Sequence, residues 1–409
     1  MFFRTILLFH IATSFTASAA SITLHTEEAV ERALTNNPTI AAARFRIDEA
    51  RGRLHQAGRL ANPELELEAS QNTRTPEQSY GVGISQALPL STRLRWEKSI
   101  ARSGVAMAEA ELRDAARRLR REVRDVCIRI LAIQKLQRLR KDQFLTNDDL
   151  ARILKSRAQA GEVSPAEAAQ IALESTQLLL AASQLDVEKA ALLGELRTLL
   201  GLTEPETIQL SGELASPGAT PRTSVDPASR GDLQAAQILL QSGRDAVALS
   251  KAERWGDADL GVFAEQVRAE DAPEGLERER LVGLRLSVPM PLWNRNQGKI
   301  AETQAAAFRI ESELQALKQR AQNEADAALH EMQVLARVLG EMDNQLLPQA
   351  YEIEKLQQHA HSQGLLPLSD TVRARQNRQA LQVQRFETLR DYHLARIRHL
   401  AATGDLPTP

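Results

Sequence analysis

The chain has 409 residues, room for about two or three domains at the usual ~100–200 residues each. Its 51 Lys and Arg against 53 Asp and Glu leave a net charge of −2, which excludes the strongly positive balance of a general nucleic-acid binder. Apolar residues at 43% and charged residues at 25% fit a folded chain, and aromatics at only 4% predict long helices packed through Ala and Leu.

Residues 1–20 read MFFRTILLFHIATSFTASAA. Arg4 supplies a positive n-region, Ile6 to Phe15 a short apolar stretch, and Ala17-Ser18-Ala19 a small-x-small cleavage site. This predicts a secretory signal peptide over 1–19. The apolar run is far shorter than the ~20 residues that span a bilayer. No Cys follows the site, so a lipoprotein is not expected. No later stretch reaches ~18 uncharged apolar residues, so membrane insertion would have to use β-strands.

The remainder repeats one plan. Gly83-Ile84-Ser85-Gln86-Ala87-Leu88-Pro89-Leu90 returns as Gly283-Leu284-Arg285-Leu286-Ser287-Val288-Pro289-Met290-Pro291-Leu292. Gly161 with Glu167 returns as Gly364 with Asp370, and Gly201 as Gly404, at an offset of 203. The first repeat covers 20–201 and the second 230–404. A Pro-, Gly-, Ser- and Thr-rich linker occupies 202–229, and 405–409 is a short tail.

Each repeat opens with a helix, Pro38 to Leu60 or Asp232 to Trp255. Asn36-Asn37 before Pro38 makes a capped start. Two strands follow, expected over about 63–73 and 79–89, then 257–268 and 279–290. Leu65, Leu67 and Ala69 alternate with Glu64, Glu66 and Glu68. Tyr80, Val82 and Ile84 alternate with Gly81, Gly83 and Ser85, and Val282, Leu284 and Leu286 with Gly283 and Arg285. The run around Leu260 to Glu265 alternates poorly. Asn72–Gln78 and Arg268–Arg278 would be loops.

Long helices come next, over about 91–160 and 294–362, each followed by a Gly turn and a second helix, 165–201 or 366–402. Leu112, Ala116, Leu119, Val123, Val126, Ile130 and Ile133 step by four and three, an a/d seam. Ile171, Leu178, Leu185, Leu192 and Leu199 recur every seven residues. Ile310, Leu314, Leu317 and Ala321 repeat the seam in the second half. A helix from 91 to 160 would be ~105 Å long, too long for a compact globule. Pro348 should kink or loosen the second long helix.

The fold class is therefore mainly α with a small β part: coiled-coil-like hairpins in two tandem repeats, with four amphipathic strands suited to a transmembrane wall. Four strands cannot close a barrel, and an open edge in lipid is costly. The smallest closed membrane barrels have about eight strands, so several chains must contribute, and three would supply about twelve. Trp96, Trp255 and Trp293 would then sit together at the periplasmic rim, where amphipathic rings favour the interface, or pack at helix–strand junctions. Glu64, Glu66 and Glu68 would face the lumen, as cation-favouring carboxylates or as ordinary lumen polarity.

Other features have plainer readings. Cys127 stands alone, which excludes an intramolecular disulfide framework, and beside Val126 it reads as packed core. The basic run from Arg113 to Lys141 reads as a solvated or inter-chain helix face rather than a nucleic-acid site. His359 and His361, two residues apart on a helix, point to different sides. One chain cannot chelate metal with both, and only symmetry copies could bring one of them together. No G-x-S-x-G, P-loop or H-E-x-x-H motif occurs, so no enzyme and no cofactor are expected.

These residues resemble the TolC-type outer-membrane efflux factors over essentially 22–404. The resemblance rests on Leu24-His25-Thr26-Glu27-Glu28-Ala29-Val30 with Asn37-Pro38, and on Gln56-Ala57-Gly58 with Asn62-Pro63-Glu64-Leu65. The doubled Ser-Gln-Ala-Leu-Pro-Leu and Ser-Val-Pro-Met-Pro-Leu elements and the two Gly turns complete it. The Gln-Ala-Gly and Asn-Pro-Glu-Leu run is most similar to the heavy-metal branch. The resemblance implies a homotrimer in the outer membrane of a Gram-negative-type bacterium, with an α-helical tunnel through the periplasm. It implies docking of a periplasmic adaptor at the turns containing Gly161, Glu162, Val163, Ser164, Gly364, Leu365 and Leu366. The adaptor would link to an inner-membrane pump of the RND type. It also implies an aperture at Asp370, where an acidic partner position is Arg373 instead; these two could pair at i,i+3. The leading reading is a passive exit duct for metal cations or small toxic compounds. The alternatives are the duct of a type I protein secretion system, a periplasmic adaptor, or a coiled-coil scaffold. An adaptor should carry one hairpin with soluble β-domains, and a scaffold would not repeat amphipathic strands.

Overall fold

The computed structural model describes residues 21–202, 207–218, 226, 229–271 and 275–404. The expected signal peptide 1–19, the tail 405–409 and part of the linker 202–229 lie outside these residues. The described residues open with β1 (Ser21–Leu24), then α1 (Thr26–Asn36) and α2 (Pro38–Gln56). The sequence predicts no helix before Pro38; α1 is an addition. His25 N–H donates to Glu28 Oε2 at 2.8 Å and starts it. Asn37 separates the two helices. Its Oδ1 accepts from Thr39 N at 2.8 Å, capping α2, and its Nδ2 donates to the Leu199 carbonyl at 2.9 Å.

The first hairpin is β2 (Glu64–Gln71) and β3 (Gln78–Pro89), and the second is β5 (Asp257–Asp271) and β6 (Gly275–Ser287). Between them come α3 (Arg93–Gln159), α4 (Pro165–Leu199), β4 (Thr207–Leu210) and α5 (Gly231–Ala252). The second hairpin is longer than its sequence pattern indicates. Pairing runs on from Arg268↔Arg278 to Asp271↔Gly275, so most of the expected loop Arg268–Arg278 is strand. At its other end β6 stops at Ser287, short of 290, because Pro289 and Pro291 cannot donate to a ladder. The span read as linker also holds a strand. β4 pairs in parallel with β1, and Leu24, Ile208 and Leu210 are buried beneath them.

Helix α3 has 67 residues, ~100 Å at 1.5 Å per residue. It is too long for either short partner. α4 runs back from the turn along one part of it, and α2 covers the part near the sheet, where Gly58 approaches Leu94. In the second repeat the long helix is α6 (Gln297–Glu341), a π-turn Met342–Leu346, and α7 (Leu347–Ser362); α8 (Leu368–Thr403) packs against it. The disturbance expected at Pro348 is thus a π-turn one step ahead of it. Leu347 N–H bonds back to the Met342 carbonyl, and widening the turn makes room for a ring that cannot donate.

The main core forms where α1, α3, α4 and the β1/β4 pair meet. Val30, Val123, Ile130, Leu196 and Leu200 are buried there. Cys127 lies in this core, where burial pushes its thiol up to about 12. Gly201 closes α4 at φ +66°, and a Cβ there would sit 2.5 Å from the Asn36 carbonyl oxygen.

A buried polar clamp joins the ends of the two repeats. Asp114, 3% exposed, takes Arg117 at 2.6 Å and also Arg118. Arg117 donates onward to the Ala401 carbonyl at 2.8 Å, and Arg230 to the Ala402 carbonyl at 2.9 Å. Asp232 pairs with Arg230 at 2.6 Å. Farther along, buried Arg124 reaches Glu27 at 2.6 Å. Part of the basic run read as a solvated or inter-chain face is therefore spent on ion pairs inside the chain. Burial raises the Asp232 carboxyl, but Arg230, Arg117 and the Leu233 N–H outweigh it and hold it below the usual carboxylate range.

Two outcomes follow from the joints. Gly201→Ala combines positive φ with a backbone clash and should cost about 1–3 kcal/mol, read as a lower helix-unfolding midpoint by circular dichroism. A depressed folded-state carboxylate adds stability above its unfolded value and loses it as pH falls through the folded one. Asp232→Asn should therefore destabilise by about 1–3 kcal/mol at pH 7, and its deficit against the natural protein should shrink below about pH 4. A deficit constant with pH would contradict the clamp.

Candidate functional site

Strand order in the large sheet is β2-β3-β5-β6, all antiparallel, so β2 and β6 are its edges. Strand alternation and register sort the side chains into two faces. One face carries the cross-strand rows Leu65–Ile84–Val262–Leu284 and Leu67–Val82–Ala264–Val282. All of these residues are exposed, Val282 at 80% and Leu284 at 77% the most open. A contiguous apolar face of this kind calls for a non-aqueous neighbour.

The opposite face holds Glu64, Glu66 and Glu68 as the alternation predicts. It also holds Asp259, Glu265, Glu277 and Glu279, which the sequence reading missed because it placed 268–278 in a loop and found weak alternation around 260–265. The only arginine of the described strands on this face is Arg285. Arg285 Nη1 reaches Glu66 Oε2 at 3.1 Å, although Glu66 is on β2 and Arg285 on β6. Flat strands at ~4.8 Å spacing would hold these backbones ~14 Å apart, so the ion pair is a chord across a concave surface. Glycines clear its path. Gly83, Gly261 and Gly283 bring no side chain, and the Phe263 ring lies across Gly283, where a Cβ would be 2.6 Å from Phe263 Cζ. The Arg285 guanidinium stacks over that ring at 5.2 Å. Glu66 also accepts from Ser85 Oγ at 2.9 Å.

All three tryptophans lie at the helix-proximal end of this sheet. Trp96 is in the first turn of α3 after β3, Trp255 lies just before β5, and Trp293 just after β6. Trp96 is half-buried with the Arg95 guanidinium 5.6 Å from its ring, whereas Trp293 is 88% exposed. Trp96 thus packs locally and Trp293 is free to meet an interface. Arg93 ties the junction together, with Asp257 and Glu97 each at 2.7 Å.

At the far end of the helices the two turns have one design. Glu162 N–H bonds to the Arg157 carbonyl at 2.9 Å, and Leu365 N–H to the Ala360 carbonyl at 2.9 Å. Gly161 at φ +77° and Gly364 at φ +75° make both bends possible. Ser164 Oγ then caps α4 through Ala166 N at 3.2 Å. The turns are brought together by a small core of Leu154, Ala168, Ile171 and Val372, with Val163 and Leu368 against it. Leu365 stays 71% exposed, while Leu366 is half-buried. A groove of about 610 Å³ runs beside the first turn, with Ala151, Ala158, Ala168 and Ala172 as its floor and Arg152 and Lys155 on its rim.

Asp370 is half-buried in the first turn of α8 and Arg373 is exposed one turn on. No ion pair joins them among the described residues. The arginines of α8 reach across instead: Arg375 pairs with Glu354 of α7 at 3.2 Å, and Arg378 with the same carboxylate. His361 Nδ1 donates to the Leu366 carbonyl at 3.0 Å, and His359 Nε2 meets Gln363 Nε2 at 3.1 Å. Both imidazoles serve the turn, and no cluster of metal-ligating side chains occurs among the described residues.

Residues 29–202 match the family model described as outer membrane efflux protein. The resemblance carried by the doubled motifs is thereby borne out, and over its first repeat the chain has that family's signature. Solved channels share the fold over nearly the whole length. CusC, described in a study of folding and transmembrane channel formation, is 15% identical over 92% of this chain and 91% of that one, with a TM-score of 0.77. The Campylobacter jejuni CmeC outer membrane channel is 15% identical over 93% and 85%, with a TM-score of 0.73. VceC, an outer membrane protein of Vibrio cholerae, is 17% identical over 93% and 96%, with a TM-score of 0.71. At such identities the likeness is one of fold. No curated protein matches the sequence.

The flattened ring yields a test of the concave face. Gly283→Val would drive a branched side chain into Phe263, at an overpacking cost of about 1–3 kcal/mol, and should reduce the fraction of heat-modifiable folded protein on gels. Adding Phe263→Ala should recover most of that loss.

Proposed function

We propose that the protein is a passive outer-membrane exit duct of an efflux system, built by three copies of the chain. The observation that carries this reading is the two-faced sheet with both edges open, fused to helices ~100 Å long. The exposed leucine and valine rows would face lipid, and the carboxylate face would line the lumen. Three copies would join β6 of one chain to β2 of the next and leave no free edge. The helices would extend through the periplasm, with Trp255 and Trp293 at the inner rim of the barrel.

The turns around Gly161–Ser164 and Gly364–Leu366 would form the periplasmic tip and dock a helical adaptor linked to an inner-membrane pump of the RND type. An alanine-floored groove beside the first turn suits a packed helix. Asp370 would line the aperture, with Arg373 close enough to soften an acidic ring. Energy comes from the pump. The lumen surplus of carboxylates over Arg285 favours cations, in keeping with metal export.

Growth of a deletion strain on copper, silver, zinc, cobalt and cadmium, beside dyes, detergents and antibiotics, tests the substrate. Hypersensitivity confined to metals supports the cation reading, and sensitivity to the organic panel alone retires it. In planar bilayers, replacing Glu64, Glu66 and Glu68 by Gln should lower the cation-to-anion permeability ratio severalfold, read from the reversal potential. Gly161→Val or Gly364→Val should impair export while leaving heat-modifiable assembly intact, since nothing lies within 4 Å of either missing Cβ. Unchanged resistance in such a strain would remove the tip from the docking role.

A further inference from the structure

The outward face of the sheet changes character toward the hairpin ends. Beyond the two apolar rows, Tyr80, Gln266 and Arg280 share a row, and the next row contains Gln78, Arg268 and Arg278. Tyr80 is 57% exposed. A tyrosine at the limit of an apolar band is where such a ring meets the membrane–water boundary. The tryptophans mark the opposite limit. Between them, from Tyr80 to Leu90, about ten residues at ~3.4 Å each, inclined by ~40°, give ~26 Å of height, close to the ~25 Å apolar band of an outer-membrane barrel. The three arginines therefore lie at and just beyond the outer limit of the lipid-facing band.

Their arrangement is unfavourable by itself. Arg268 stands directly opposite Arg278, and like charges in that position weaken a sheet. Arg280 follows on the same face, ~7 Å along the strand. The acids next to Arg278 and Arg280 in sequence, Glu277 and Glu279, alternate through to the carboxylate face; one acidic position, Glu270, shares the arginines' face two residues beyond Arg268, which leaves three positive positions against one negative. Among the described residues none of the three arginines makes an ion pair or hydrogen bond. Arg278 and Arg280 are exposed.

We propose that Arg268, Arg278 and Arg280 bind the phosphate groups of a phosphorylated, acylated lipid of the outer leaflet. The inference rests on the outer-membrane reading above. One amphiphile satisfies both parts of the surface. Its acyl chains lie along the Val282 and Leu284 side of the sheet, and its phosphates meet the guanidinium forks above, which suit bidentate phosphate contacts. On the inward face of the same hairpin the charged positions at this level are acidic, Glu277 and Glu279 beside Val267 and Leu281, so the lipid is held from outside while the lumen stays negative.

The test is a titration of the full-length protein in detergent, followed by native mass spectrometry. The probes are bis-phosphorylated lipid A, the same lipid with its phosphates removed, and inorganic phosphate. The phosphorylated lipid should bind the natural protein at least tenfold more tightly than the dephosphorylated one, and millimolar inorganic phosphate should fail to displace it. Changing Arg268, Arg278 and Arg280 together to Gln should weaken phosphorylated-lipid binding on the order of a hundredfold, about fivefold per arginine, while changing all three to Lys should keep most of it. Equal binding of the two lipids by the natural protein, or unaltered binding by the Gln variant, would overturn the proposal. Displacement by phosphate alone would overturn the lipid as its source. Heat-modifiable migration separates the two readings. A natural protein with no heat-modifiable form defeats the outer-membrane reading and this one with it, whereas a heat-modifiable protein indifferent to lipid phosphate defeats this one alone.

Discussion

The outer edges of β2 and β6 have no partner strand among the described residues, and much of the molecule answers to that deficit. In water they would be solvated. Against lipid, each unpaired N–H or C=O costs several kcal/mol, and only closure removes the cost. The sheet is prepared to close. Its acidic face is concave and floored with glycine, and it is spanned by the Glu66–Arg285 pair resting on Phe263. Side chains at Gly83, Gly261 or Gly283 would fill the hollow and push the sheet flatter. Curvature, open edges and the exposed apolar face are one requirement seen three ways.

A second constraint is length. A helix of 67 residues cannot be covered by one of 35, so α4 and α2 take α3 in succession, with α5 and α8 also packed against it. The joint between α4 and α2 needs its own chemistry, because two helix ends meet there. Asn37 caps the start of α2 and holds the last turn of α4 with one side chain, and Gly201 lets that last turn come against Asn36. The Asp114 clamp performs the matching task where α5 begins and α8 ends. Asn37-Pro38 and Gly201, visible in the sequence as helix punctuation, are therefore joints between helices as well.

Periodicity made the long elements legible. The four-and-three steps along α3, the sevenfold leucines of α4 and the Gly turns locate both hairpins within a few residues, since helical packing repeats locally. The doubled Pro–Leu elements point to the family. Features that depend on distant partners were not legible. β1 and β4 are four residues each and exist through pairing across the chain. Arg117 and Arg124 look like any other basic helix residues until Asp114, Ala401 and Glu27 are brought to them. The far half of the second hairpin alternates in charge rather than in hydropathy, Glu277-Arg278-Glu279-Arg280, and a polar run between strands reads as a loop. The same blindness hid Glu265, Glu277 and Glu279 among the carboxylates of the acidic face.

The two repeats differ most where they are freest to differ. Their helical parts must match in length, because the two turns meet in a shared core at their far end. No such matching binds the ends of the hairpins. The first hairpin closes at Gln71↔Gln78 without a charge in its last outward row, while the second continues to Asp271↔Gly275 and sets Glu277 and Glu279 on one face against Arg268, Arg278 and Arg280 on the other. Around a closed barrel the short and long hairpins would alternate. The charged surface would then recur at every second hairpin, spaced by neutral ones, and mutual repulsion between arginine clusters would stay small at a separation beyond the ~8 Å Debye length. An architecture of repeated scaffolding thus leaves one hairpin in two to carry surface chemistry without disturbing the helices that hold it.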